Sequence, residues 1–180
     1  MHRYEAYKDS GVEWIGEIPS HWKTKRLKYL SSITTGGRDT QDKVSAGIYP
    51  FFVRSPVVEK INSYSYDGEA VLTVGDGVGT GKVFHYINGK FDFHQRVYKF
   101  SDFRDITGKF FFRFIQSLFI NVSEDQNSKS TVDSLRMPLI QGFTFVLPPL
   151  PEQEQIVSFL DAKTSVIDDL MNKKEQKIGL

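Results

Sequence analysis

Residues 75–82, Gly-Asp-Gly-Val-Gly-Thr-Gly-Lys, set four glycines, a carboxylate and a lysine between two apolar runs. Backbone amides in such a loop can cradle a phosphate. A P-loop needs Gly, four residues, Gly-Lys and then a hydroxyl for magnesium. With Gly81 and Lys82 laid on that pattern, Asp76 falls where the first glycine belongs and Val83 where the hydroxyl belongs. The dinucleotide fingerprint fails as well, because Thr80 stands where its third glycine should be. Both motifs must open a helix, whereas residues 82–87 are β-branched and aromatic and run into Asn88-Gly89, a pair typical of hairpin turns. The loop therefore reads as an exposed link between two strands, with its amides and Lys82 free to face an anion.

Other chemistries find less support. The chain has no cysteine, which removes disulfides, thiolate catalysis and most structural zinc sites. His2, His21, His85 and His94 are scattered, without a pair at helical ligand spacing. No metal and no cofactor is expected. No nucleophile, base and orienting acid stand together in the sequence, so catalysis by this chain is not expected either.

The elements that would carry functional side chains can be read from period and punctuation. At 180 residues, 39% hydrophobic and 25% charged, the chain suits one globular domain with an appended element. No run of 18 apolar residues occurs and the N-terminus has no apolar signal region, so a cytoplasmic protein is expected, with no membrane partner. Residues 9–22 mix Gly, Pro and Trp without period and read as a loop pinned by Trp14 and Trp22. Lys23, Lys25, Arg26 and Lys28 then crowd around Leu27, as a basic site or simply a solvated strand face.

Short aromatic and β-branched runs separated by Gly-rich and Asn-Gly turns predict strands at "YPFF", "EAVLTV", "KVFHYI" and "KFDFHQRVYKF". In the last, Phe91, Phe93 and Val97 alternate with Asp92, His94 and Arg96, an apolar face against a polar one. The period then changes. Phe111, Phe114, Ile115, Leu118 and Phe119 follow i, i+3, i+4, i+7, i+8 spacing, the stripe of a helix lying on a core. Residues 121–134 read as a polar loop, and "GFTFVLPPLP" as a last strand ended by prolines. Strands with few helices, not in regular alternation, predict an α+β fold with a mixed sheet.

Pro149 to Pro151 mark a boundary. Pro151 followed by Glu152 and Glu154 is a helix start, with proline in the first turn and acids near the positive end of the dipole. Ile156, Leu160, Ile167, Leu170 and Ile178, helped by Val157, Thr164 and Met171, follow three- and four-residue steps, the seam of a coiled coil. The expected organisation is a body over 1–150 and a long helix over 151–180. This helix carries six acids against four lysines, a net −2, so the body holds +3 of the overall +1. That bias is mild for a nucleic-acid footprint.

Two stretches carry a resemblance. "YKDSGVEWIGEIPSHW" at 7–22 resembles the start of a target recognition domain. "LPPLPEQEQIVSFLDAKTSVIDDL" at 147–170 resembles the linker and first part of a conserved helix in the specificity subunits of type I restriction-modification enzymes. The resemblance implies a non-catalytic subunit in which each recognition domain reads one half of a split DNA sequence and long antiparallel helices set the spacing. It implies modification subunits that dock on the assembly and methylate adenine with S-adenosylmethionine, and through them a motor and restriction subunit. Such subunits hold two recognition domains and two conserved helices, and here there is one of each. The helix would then meet either a second recognition domain's helix or a second copy of the chain.

Under that resemblance, polar residues on loops are the candidate DNA contacts, since arginine reads guanine, Gln or Asn reads adenine, and lysine or amides hold phosphate. They are Arg38, Thr40 and Gln41 beside Gly36-Gly37, Arg54 and Ser55 after the aromatic strand, Lys82, the run His94, Gln95, Arg96, and Ser128, Lys129 and Ser130 in the polar loop. Two rival functions remain: a coiled-coil scaffold without DNA preference, and a nucleotide-binding enzyme using residues 75–82.

Overall fold

The structure is a computed structural model that describes residues 4–77, 80–125 and 136–178. Its body is a six-stranded sheet built from β4 (Ser32–Thr35), β5 (Tyr49–Phe52), β6 (Glu59–Ile61), β7 (Tyr66–Val74), β8 (Phe84–Phe93) and β9 (Val97–Ser101). Their order is β4-β9-β7-β8-β5-β6, antiparallel except for the parallel pair β5 and β8. Two small pairs flank it: β1 (Tyr7–Asp9) with β2 (Glu17–Pro19), and β3 (Lys23–Arg26) with β10 (Thr144–Leu147).

Side chains alternate across β7, and both of its faces are buried. Val71 points with Phe100 of β9 into a large cluster under α1 (Gly108–Asp125), while Ala70 and Leu72 point the other way, to Phe91, Phe93 and Val97. The predicted aromatic helix is present, and its Phe111, Ile115 and Leu118 are buried. Phe111 stacks on Phe145 of β10 at 4.9 Å and Phe114 approaches the same ring at 4.6 Å. A mixed sheet with helices is thus the architecture, as the patterning implied.

Several local readings do not survive. Asn88 and Gly89 are not a turn: they lie inside β8, opposite Glu69 and Gly68, because residues 84–91 all pair with the single strand β7. The chain reverses instead between the end of β7 at Val74 and the start of β8 at Phe84. The predicted strand over 90–100 is broken at 94–96, and two of the three residues on its supposed polar face are internal, Asp92 at 1% and His94 at 2% exposure, while Arg96 stays exposed. The region read as a loop at 9–22 contains β2, yet both tryptophans do pin it, Trp14 on the Phe114 ring and Trp22 by donating Nε1–H to Glu152 at 3.0 Å. Residues 121–125 extend α1 rather than opening a loop, and α2 (Met137–Gly142), with proline in its first turn, was not foreseen.

The long helix is α3 (Leu150–Ile178), 29 residues or about 43 Å at 1.5 Å per residue. Its first two turns belong to the body. Glu152 gathers Tyr4 Oη, His21 Nε2 and Trp22 Nε1 at 3.0, 2.7 and 3.0 Å, Gln153 is fully buried, and Val157 joins the large cluster together with Ile156. Beyond them Arg113 of α1 donates to Asp161 at 2.6 Å, and the rest of the rod leaves the body. Phe159, Leu160, Val166, Ile167, Leu170 and Met171 are 38–61% exposed. The side chain of Ile178 lies outside the described set.

Candidate nucleic-acid interface

Between β8 and β9 the chain crosses from one side of β7 to the other in residues 92–96, and this short crossing collects the loops on which most of the candidate contacts sit. His94 N–H donates to the Phe52 carbonyl at 2.9 Å, anchoring the loop after β5. Gln95 N–H donates to the Arg38 carbonyl at 2.9 Å, and the Arg96 carbonyl accepts from Gly75 N–H at 2.8 Å. The loops after β4, β5 and β7 are therefore hydrogen-bonded to one five-residue strip. Gly36 is a condition of this arrangement, since a Cβ there would sit 1.9 Å from the Phe93 carbonyl oxygen.

Two carboxylates organise the side chains. Asp92 Oδ2 accepts from Arg38 Nε at 3.2 Å and Ser63 Oγ at 2.8 Å, while Oδ1 accepts from Ser65 Oγ at 2.8 Å and Phe93 N–H at 3.0 Å. Arg38 also donates Nη2 to Ser63 Oγ at 3.1 Å, so the guanidinium is held at 44% exposure with donors to spare. Asp76 lies between two arginines, with Arg96 Nη1 at 2.8 Å and Arg54 Nη1 at 3.6 Å. Gln95 donates Nε2 to Asp39 at 3.2 Å, and Thr40 and Gln41 are exposed in the turn that follows.

The other candidates separate. Lys82 is exposed on the glycine loop. Ser55 turns its hydroxyl to Val57 N–H at 3.1 Å and shapes its own loop. His94 is interior, and its Nδ1 accepts from Arg96 N–H at 3.0 Å, so it holds the turn rather than reaching outward. Ser128, Lys129 and Ser130 lie outside the described residues. Asp92, Asp76, Ser63 and Ser65 were not among the candidate contacts expected from the sequence. An acid flanked by Phe91 and Phe93 was a usable signal for Asp92, since a carboxylate at the end of an apolar strand needs donors.

The site is close to neutral, because Asp39, Asp42, Asp76 and Asp92 offset Arg38, Arg54, Lys82 and Arg96. Burial alone would raise the Asp92 carboxyl, but the hydrogen bonds from Ser63, Ser65, Phe93 N–H and Arg38 outweigh it and hold the group below the ordinary range. Burial pushes both His85 and His94 below 6.5, with the Arg54 charge adding to the effect at His94. The signs agree. A histidine lowered on folding binds its proton better when unfolded, so stability falls as pH drops below about 6.5; a lowered aspartate contributes above about 4 and is lost below it. The urea midpoint is expected to fall in two stages on acidification, and Asp92→Asn is expected to remove its share of the lower one. A flat midpoint from pH 7 to 5 would contradict the histidine assignment.

Among solved structures the fold has counterparts. The S subunit of the type I restriction-modification system from M. genitalium superposes with a TM-score of 0.68 at 13% identity, over 86% of this chain and 42% of that one. The HsdS subunit from Thermoanaerobacter tengcongensis gives 0.67 at 16%, over 93% and 42%. A third, from a structure on complex assembly and conformational transition of the type I R-M system, gives 0.71 at 17%, over 95% and 44%. The fold is thus that of a specificity-subunit domain with its helix. At the level of sequence, residues 19–180 match the model of the type I restriction modification DNA specificity domain, and the chain belongs to that family. It is also 30% identical over 161 residues to the type I restriction enzyme EcoDI specificity subunit of Escherichia coli, covering 89% of this chain and 35% of that protein. The chain spans about a third of the length of that curated relative. Specificity subunits are the recognition components of type I systems and not their catalysts.

Proposed function

We propose that residues 1–150 form a target recognition domain that reads one half of a bipartite sequence in double-stranded DNA. Residues 151–180 begin a spacer whose exposed apolar stripe pairs, as a coiled coil, with the helix of a second recognition domain or of a second copy. Methyltransferase subunits, and through them the motor and restriction subunit, dock on this assembly in the cytoplasm, and the chain itself catalyses nothing. The observation that carries the reading is that one strip of backbone presents Gln95 and Arg96, binds the Arg38 carbonyl, and binds Gly75 beside the Asp76 carboxylate that Arg54 faces, in a chain of the specificity family. Arginines braced by carboxylates suit base edges, which demand orientation, better than phosphates, which demand charge.

A mobility-shift titration against randomised duplexes tests this, with the expectation that a subset of sequences is retained under competition. Retention of all sequences alike would favour the scaffold alternative, for which the stripe on α3 suffices. In the same assay Lys82→Ala is expected to weaken binding about equally for every sequence and to reduce the slope of log affinity against log salt by about one, as for one lost phosphate contact. Loss of discrimination at a single base position would instead make Lys82 a base reader.

A further inference from the structure

The arrangement around Asp76 goes further than a general basic site. Its two carboxylate oxygens each face a different arginine, Oδ2 toward Arg96 and Oδ1 toward Arg54, and the two come from different loops. Both guanidinium groups keep solvent access, at 55% and 44% exposure. Arg96 donates Nη1 to Oδ2 at 2.8 Å, whereas Arg54 Nη1 stands 3.6 Å from Oδ1 as an ion pair without a hydrogen bond; both approaches are through Nη1 and leave the Nε–Nη2 edge with its two parallel N–H groups facing elsewhere. That edge matches the O6 and N7 acceptors of guanine in the major groove. Asp76 also repels phosphate, so the pair is poorly placed to serve as a backbone clamp. Two heads sharing one carboxylate stand close enough to meet neighbouring base pairs, about 3.4 Å apart along a strand.

We propose that Asp76 is a positioning residue that aligns Arg54 and Arg96 as two guanine readers, so that the half-site of this chain contains two G·C pairs within two steps of each other. Gly75 lets Asp76 take this place: its N–H donates to the Arg96 carbonyl, and a Cβ there would lie 2.8 Å from the Tyr98 ring and 3.0 Å from that carbonyl oxygen.

The inference rests on the DNA-reading function proposed above, and selection from a randomised duplex pool, followed by sequencing of the bound fraction, separates the two. The full chain is expected to enrich a half-site with the two guanines. Arg54→Ala is expected to relax one of them about tenfold or more, Arg96→Ala the other, and Asp76→Asn both together, with the remaining positions unchanged. Gly75→Ala, which displaces Asp76 without altering its charge, is expected to act like Asp76→Asn. An enriched motif without the guanine pair, or two arginine variants that relax the same position or none, overturns the proposal while DNA reading stands; these outcomes decide even if Asp76→Asn fails to fold. No enrichment by the unaltered chain overturns the DNA-reading function and this inference with it.

Discussion

Asp92→Ala is expected to lower the unfolding free energy by about 3 kcal/mol, which for a domain of this size corresponds to a melting temperature lower by about 6–12 °C. Asp92 is 1% exposed and accepts from Arg38, Ser63, Ser65 and the Phe93 amide. Alanine strands one partly buried charge and three donors at once. Removing one partner of a buried ion pair costs roughly 3–5 kcal/mol, but Arg38 remains 44% exposed and solvent recovers part of its charge, which brings the figure toward the lower end. Asp92→Asn keeps one carbonyl acceptor and is expected to fall between. Base discrimination should loosen alongside stability, because the same carboxylate fixes the Arg38 head and the start of the crossing strip. Urea unfolding at pH 7 decides the matter, and a loss under about 1 kcal/mol would show that the network is not the brace described.

The second large effect is expected at Gln153. Its amide is fully buried and fully used: Nε2 donates to the Asp105 carbonyl at 3.0 Å and the Pro148 carbonyl at 2.9 Å, and Oε1 accepts from Thr107 N–H at 2.9 Å. One side chain thereby ties the proline linker, the loop before α1 and the first turn of α3. Gln153→Ala leaves those three groups without partners, at about 1 kcal/mol each, and is expected to cost about 2–3 kcal/mol. Gln153→Glu separates hydrogen bonding from volume. It keeps the shape but sets a carboxylate oxygen against two carbonyls, so it should be at least as damaging at pH 7 and partly relieved in acid, where the protonated group can donate again. Equal stability of Gln153→Glu and the unaltered chain at pH 7 would rule out this geometry.

What the sequence made legible was what local physics decides. The stripe from Phe111 to Leu118 can only be a helix on a core, and Pro151 with Glu152 can only open one, so α1 and the start of α3 were readable. The run "PEQEQ" was visible as a motif, yet the role of Gln153 was not, since its three partners lie 5 to 48 residues away. Asn88-Gly89 misled for a related reason. Turn chemistry is a local preference, whereas eight consecutive pairings with β7 hold residues 84–91 extended. Of the candidate contacts, Arg38, Arg54, Gln95 and Arg96 were named individually, but nothing in their spacing tells that residues 92–96 would bind three separate loops. Asp76, read first as a failed glycine of a phosphate loop, turned out to face two arginines.

Base reading by this body, with α3 as its spacer, would be written into the methylated genome. Mapping adenine methylation across the genome, in cells with the intact gene and in cells lacking it, measures that reading at its endpoint. The prediction is a bipartite motif, methylated only when the gene is present, one half of which broadens when Arg38, Arg54 or Arg96 is replaced. A methylation pattern unchanged by loss of the gene, or a motif indifferent to all three arginines, would contradict it.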